Sequence, residues 1–548
     1  MNKILLHIIG ILIIIISIID IIILKTPINN NIIFYIISFI LIIFSLGKNI
    51  EITIIDLTLL LFISFRFIDA ALYNRIDFLV LINTLSIIYI YIYIKSNNNS
   101  SLSIIGLYLI INGLLQCFII TLQLSDIIQS KNQYFKAIGG FANPNIVSFF
   151  ILLPSVILTN SILENKKNKQ QCIYQIALLI VFIFFLIITN SKGCIIAYLS
   201  TLILGITYLN KRKHYIIPII LIISLIVIYK GISYPRLLIW EVSTDIIKTN
   251  PIFGIGSYNF SPNYMLYQSN FFKNHPNYSL TIFSNNNHFP YNEYLYYVCE
   301  NGIIGLLFLS LFGYILFKRI ANYRALISIS ISIIVYIFFY NSFDNYKISL
   351  IIFSLIAIIS KYCRPIFNIK LISNTSILSV LIISCLYRTI YKDFSSYYSN
   401  YLNLESEKKY CLNNIQISLI QANKISSYLY NSDNKNYEYI IALENLYYKY
   451  PNSEIALYLG YIYKINKNVD KAEYFFKESY YLVPARITSL YELFQLYKES
   501  NQSEKALQIA PSIINHKTSI VNSKTLNIKK EAISYINKKA DKNISAPK

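Results

Sequence analysis

From residue 4 to residue 390, apolar stretches of 15 to 25 residues follow one another almost without pause. After about residue 391 no stretch is long enough to cross a bilayer, and Lys, Glu, Asn and Tyr take over. About 20 apolar residues in a helix match the hydrocarbon thickness of a membrane. A soluble globule could not cover that much apolar surface. The first part of the chain therefore takes lipid as its solvent. The expected fold is all-α: a polytopic bundle of 12–13 transmembrane helices over residues 1–390, then a polar helical domain over 391–516 and a polar tail over 517–548.

Spans are expected near 4–24, 31–46, 52–66, 77–94, 102–122, 145–162, 173–189, 194–209, 215–230, 294–317, 325–341, 347–361 and 371–390. The segment after Lys3 begins like a signal peptide. It is longer than a signal core, however, and Thr26, Pro27 and Ile28 offer no small-residue cleavage site, so it reads as the first retained span. Four basic clusters set the orientation: Lys166, Lys167 and Lys169; Lys211, Arg212 and Lys213; Lys318, Arg319 and Arg324; Lys361, Arg364 and Lys370. With thirteen spans all four fall on one side, which the positive-inside rule makes cytoplasmic. The loops 123–144 and 231–293 and the C-terminal tail are then expected outside, which is the periplasm in a Gram-negative cell.

The net charge of +21 does not point to nucleic acid, because the basic residues form orientation signals in short loops rather than one stripe or arm. The seven cysteines show no CxxC pair and no metal-ligand spacing, so neither a disulfide framework nor a metal site is expected, and no cofactor. In the tail, Leu459, Tyr463 and Ala472 recur 34 residues later as Leu493, Tyr497 and Ala506. That period resembles the tetratricopeptide repeat, a helix-turn-helix unit packed around small residues. Two units fall short of the three a stack needs, so helices within 402–450 are expected to complete it. The alternative is an unrelated helical domain. Beyond about 517 the Lys-, Asn- and Ser-rich composition is that of a partly disordered segment.

Polar information concentrates in four segments that the topology puts on one face. The first is Gly139-Gly-Phe-Ala-Asn143-Pro144-Asn145, with Pro144 suited to a first helical turn. The second is the turn Thr189-Asn-Ser-Lys192-Gly193. In the third, Arg236 and Trp240 share a helix face, Asn250-Pro251 ends that helix, and Gly254 and Gly256 permit a tight turn that exposes backbone. The fourth runs from His288 through Asn292, Glu293 and Leu295 to Glu300, Gly302 and Gly305. Each residue also has a plainer reading. Arg236 could be an interfacial anchor, Lys192 an ordinary turn residue and His288 a solvated loop histidine. Glu293 could cap a helix, Glu300 needs a partner to be buried, and Gly302 and Gly305 suit helix packing.

Together these segments resemble the O-antigen ligase and O-antigen polymerase-like family of membrane glycosyltransferases. Its members show a G-x-F-x-N-P-N segment, a Ser-Arg-Gly turn, an Arg-x-x-x-Trp helix before Pro-Leu-Phe-Gly-x-Gly, and a His-Asn-x-x-Leu helix start before Glu-x-Gly-x-x-Gly. The resemblance covers roughly residues 130–320. Two positions depart from it: Lys192 replaces the turn arginine, keeping the charge but losing the planar fork, and Tyr291 replaces the histidine before Asn292, with His288 three positions earlier. What the resemblance implies is metal-independent transfer, with inversion, of a glycan from undecaprenyl diphosphate to an acceptor hydroxyl. The acceptor would be lipid A core, a growing polysaccharide or a protein. Arg236 and Lys192 would stabilise the departing diphosphate, and His288 or Glu293 would activate the acceptor. Asn143, Asn145, Gly254, Gly256, Asn292 and Glu300 would line the substrate site. Expected partners are membrane lipids, the lipid-linked donor and a protein held by the tail. The rival readings are a lipid-linked sugar transporter, for which duplicated spans are missing, and a scaffold anchored by its spans.

Overall fold

The computed structural model describes residues 7, 10–15, 17–18, 31–43, 45, 48–72, 78–97, 102–130, 132, 134–141, 143–164, 169–209, 233–321, 323–343, 345–370, 437–518 and 522–544. The bundle helices are α1 (Asn31–Ile43), α2 (Ile54–Leu72), α3 (Phe78–Ser96), α4 (Leu102–Leu124), α5 (Pro144–Glu164), α6 (Lys169–Ile188), α7 (Lys192–Leu209), α10 (Glu293–Ile320), α11 (Arg324–Phe338) and α12 (Tyr346–Lys361). Ten of the expected spans fall on these helices. Those at 215–230 and 371–390 lie outside the described residues, and the first is described only at scattered positions. Among the described residues four helices, α4, α5, α6 and α10, are long and apolar enough to cross a membrane by themselves. The protein is a multi-pass membrane protein.

α5 is the centre of the bundle and α6 its rim, since 72% of the apolar window of α5 is buried against 11% for α6. α5 packs on α4, α6, α7 and α11. Gly113 of α4 lets that helix approach closely, because a Cβ there would stand 2.9 Å from both Pro154 of α5 and Phe182 of α6. α6 turns most of its apolar side chains outward, as a lipid-facing helix does.

The two ends of the bundle differ. At one end the strands β1 (Asn49–Ile52) and β2 (Phe367–Lys370) pair antiparallel, Asn49 opposite Lys370 and Ile52 opposite Phe367. The rings of Tyr323 and Tyr362 meet there, tilted, at 4.5 Å, so the basic clusters at 318–324 and 361–370 meet at one end, as the charge pattern requires. Residues 166–167 and 211–213 of the other two clusters lie outside the described residues. The opposite end, called the loop end below, carries α8 (Tyr234–Thr249) and α9 (Phe260–Asn274).

The tail comprises α13 (Tyr437–Lys449), α14 (Ser453–Ile465), α15 (Val469–Leu482), α16 (Ile487–Glu499), α17 (Ser503–Ile514) and α18 (Ser523–Ile544). The 34-residue spacing is structural as well as sequential. N-caps Asn452 and Asn468 are followed 34 positions later by Arg486 and Gln502, and Lys467 and Asn501 both turn with φ 57°. Ala472 and Ala506 are both fully buried, giving neighbouring helices room to approach. Of the segment 402–450 only α13 lies within the described residues. Within the segment beyond 517 expected to be partly disordered, Ser523–Ile544 is helical. Its Ile528 and Ala532 are buried on one face, and Glu531 takes hydrogen bonds from Tyr491, Gln495 and Lys498. An apolar stripe at helical spacing outweighs the polar composition.

Candidate functional site

Each polar segment of the loop end starts or stops a helix. Asn143 Oδ1 accepts the N–H of Asn145 at 2.9 Å, and Pro144 opens α5. Asn145 in turn accepts the hydroxyl of Ser191 at its side chain (2.8 Å) and that of Tyr336 at its carbonyl (3.1 Å). Asn190, with φ 53°, makes the sharp turn that launches α7 at Lys192. Lys192 is exposed. A cation at a helix N-terminus works against the helix dipole. Gly193 is pressed on Phe339, whose Cβ a side chain there would approach to 2.6 Å.

In α8, Pro235 occupies the first turn, and Arg236 and Trp240 share a face as the spacing requires. Trp240 Nε1 donates to Pro290 O at 2.9 Å, and its ring meets Phe338 edge-on at 5.9 Å. The Arg236 guanidinium lies over the Tyr291 ring, 5.8 Å from its centre. Among the described residues nothing else neutralises it: it has neither an ion pair nor a hydrogen bond there. Burial pushes its pKa below the usual arginine value, and the Tyr291 phenol opposes that shift. Tyr291, at the position where the ligases carry histidine, therefore serves as the platform under Arg236. His288 sits apart, Nδ1 3.1 Å from Ser261 Oγ of α9. Burial lowers its pKa to about 4, so it is neutral near pH 7.

Asn292 caps α10 by accepting the N–H of Leu295 at 3.1 Å. The capping role considered for Glu293 thus belongs to its neighbour. Glu293 is buried, and its Oε2 accepts the N–H of Ser342 at 2.7 Å. The sequence reading passed over the stretch on which these contacts converge, Tyr336–Ser342. It touches α5 through Asn145, α7 through Gly193, α8 through Trp240 and α10 through Glu293. Within it Asn341 is 6% exposed, and neither its amide oxygen nor its nitrogen has a partner among the described residues. A polar cluster closing an apolar span, Tyr340 to Asn345, was the signal available.

The glycine turn behaves differently from expectation. α10 is broken at Gly302 (φ 60°, ψ −154°), and the segment after α8 is laid into the break. Ile303 and Ile304 donate to the carbonyls of Pro251 and Ile252, while Ile255 and Gly256 donate to those of Cys299 and Glu300. The chains cross so closely that a Cβ at Gly254 would fall 2.3 Å from Glu300 O, and one at Gly302 2.2 Å from Ile252 O. The N–H of Gly254 goes to Asn250 O and that of Gly256 to Glu300 O. The turn therefore does not offer its two glycine amides to a phosphate. Gly302, expected to ease packing of an unbroken helix, marks a break in it.

Two charges at the end of α2 secure this crossing, and the sequence reading missed both. Arg66 pairs with Glu300 at 2.8 Å, donates to Tyr297 OH at 3.1 Å, and lies between the rings of Tyr258 and Tyr297. The other Glu300 oxygen accepts the N–H of Phe260 at 3.3 Å. Asp69 accepts the N–H of Ser257 at 2.5 Å and the amide of Asn301 at 3.0 Å. α2 runs six residues past its expected end because these groups find partners there. Beside them an apolar cavity of about 160 Å³ opens between α2, α3, α10 and α12, with Arg66, Tyr258 and Tyr297 in its wall.

The chain matches no curated protein. Residues 177–310, from α6 through α7, α8 and α9 to the broken turn of α10, match the family model described as O-antigen ligase, and it is this family that the chain resembles.

Proposed function

We propose that the protein moves a glycan from undecaprenyl diphosphate to an acceptor hydroxyl on the periplasmic face of the inner membrane. The observation that carries this reading is Arg236, a half-buried guanidinium with a tyrosine ring beneath it and no carboxylate among the described residues. A desolvated cation without a counter-ion is costly unless an anion completes it. A diphosphate at the lipid surface is such an anion, and fixed cationic donors stabilise the charge that develops as it departs. The exposed Lys192, at a helix start where its charge opposes the dipole, fits the same use.

In the step we envisage, the acceptor oxygen attacks the anomeric carbon. The bond from that carbon to the diphosphate oxygen breaks, and its electron pair leaves on the diphosphate beside Arg236. The acceptor proton passes to His288. In the tautomer whose Nδ1–H donates to Ser261 Oγ, Nε2 is the free base, and burial keeps the ring neutral to receive a proton. Glu293, committed to Ser342, holds α10 against the Tyr336–Ser342 stretch, so we assign it positioning. The unsatisfied amide of Asn341 suits a sugar hydroxyl, which both donates and accepts. The cavity beside Arg66 has the apolar lining a polyisoprenyl chain needs. We read the tail as tetratricopeptide-like units outside the membrane, where a polypeptide or a polysaccharide acceptor could be recruited.

The test uses purified protein with radiolabelled undecaprenyl-diphosphate oligosaccharide and three acceptors: lipid A core, a polysaccharide and a protein. Transfer to one of them, abolished by Arg236→Ala, is expected. Transfer unchanged by that substitution would remove the main assignment. Movement of labelled lipid across vesicles without transfer would favour a transporter.

A further inference from the structure

The tail does not hang free of the loop end. Its turns at 450–453 and 482–486 both meet the segment Ser284–Asn287, which leads directly into His288. Every residue of that segment is tied. Ser284 Oγ accepts the N–H of Ala485 at 3.0 Å. Gln268 of α9, fully buried, donates both to Asn285 O (3.1 Å) and to Leu482 O (2.5 Å). Asn287 Nδ2 points to Gln268 Oε1 at 3.5 Å. Asn286 makes the most specific contact. Its Oδ1 accepts both the N–H and the hydroxyl of Ser453, each at 3.2 Å, at the first turn of α14, and its Nδ2 donates to the cap residue Asn452 at 3.2 Å. Beneath these polar ties α8, α9 and the tail helices share one apolar core, and Lys273 pairs with Glu478 across the seam at 2.6 Å.

We propose that Asn286 is a positioning residue, locking the segment that carries His288 onto the tail so that the tail sets the geometry of acceptor activation. This rests on the transferase reading above. Three Asn in a row, 285 to 287, with no regular structure of their own, would otherwise leave His288 on a loose tether. An amide that both donates and accepts is the side chain that can satisfy an orphan helix N–H and a neighbouring carbonyl oxygen at once. A partner that displaced the tail would unlatch the same segment.

The test compares full-length Asn286→Ala and Asn286→Asp with the parent. Aspartate keeps the oxygen that accepts from Ser453 and puts a negative charge at a helix N-terminus, but loses the donor to Asn452 Oδ1, so it should rescue part of the contact. In hydrogen–deuterium exchange, the amides of 284–289 should exchange faster in Asn286→Ala and at an intermediate rate in Asn286→Asp. In the transfer assay, Asn286→Ala should lower kcat/KM for the acceptor by about 10-fold to 100-fold with the donor KM unchanged. Unchanged exchange in Asn286→Ala would overturn the latch. Faster exchange with unchanged transfer would overturn its link to the site. If the parent transfers nothing to any acceptor, the transferase reading fails, while the exchange arm still decides the latch.

Discussion

At the end of the bundle where β1 and β2 pair, the ribbon end, Asp56 is saturated. It accepts from the N–H and hydroxyl of Thr53, from Tyr91 OH at 2.5 Å, from Ser360 at 2.9 Å and from the ammonium of Lys95. At the loop end Arg66 and Glu300 form an equally buried pair, braced by tyrosines and a backbone N–H. There the likeness stops, because the loop end also half-buries Arg236 without a counter-charge and buries Asn341 without a partner among the described residues. A buried ion pair of this kind is architecture, costly to break and often replaceable by apolar residues. A buried group left unmet carries a cost the fold alone does not recover. Under the transfer reading proposed above, the first kind of group holds the bundle and the second waits for a ligand.

The sharpest way to break that contrast is Arg236→Met. Transfer should fall by about 10³-fold or more, the scale on which a single arginine acts on phosphoryl charge. Thermal unfolding in detergent should stay level or rise, since a desolvated cation is removed. A drop in melting temperature together with the activity would make Arg236 one more structural group.

Next come the paired sites. Arg66→Met strands Glu300 and should cost about 3–5 kcal/mol, most of it recovered in the Arg66→Met, Glu300→Leu double variant. Lys95→Met should likewise destabilise the ribbon end. The protein that stays folded should keep the parent donor KM; a changed KM would mean that the two ends are coupled. Asn341→Leu predicts the reverse pattern, a gain in stability of up to about 1–3 kcal/mol as an unsatisfied amide is removed, with slower transfer. Unfolding curves and initial rates on the same preparations check both.

The contrast also explains how far the sequence could be read. Span positions follow from hydropathy because lipid imposes one rule on every segment. The convergence of four polar segments was legible from topology, and the shared face of Arg236 and Trp240 from their spacing once the segment is taken as helical. The Tyr336–Ser342 stretch was not, since its meaning lies in contacts made to four different helices. Nor was the partner of Glu300, 234 positions away at Arg66. The role of Gly302 was misread because a glycine suited to helix packing and one that breaks a helix look identical in sequence until the crossing strand is placed. The helix Ser523–Ile544 was missed by weighing composition over periodicity.

The smallest expected effect concerns His288, whose pKa burial lowers to about 4 against an ordinary 6.5. If it takes the acceptor proton, the acidic limb of kcat/KM should fall near pH 4, leaving a flat profile through 5 to 7. The stability consequence has a definite sign. Between the two pKa values the unfolded chain binds a proton that the folded chain refuses, so stability falls as pH drops from 6.5 toward 4, by at most about 3 kcal/mol. His288→Gln should remove that slope while leaving the neutral-pH melting temperature near the parent value. A limb near 6.5 in the parent would mean that the ring is solvated. In that case the loop end would offer acceptors a histidine of ordinary basicity, and the contrast between its unmet groups and the saturated Asp56 would rest on Arg236 and Asn341 alone.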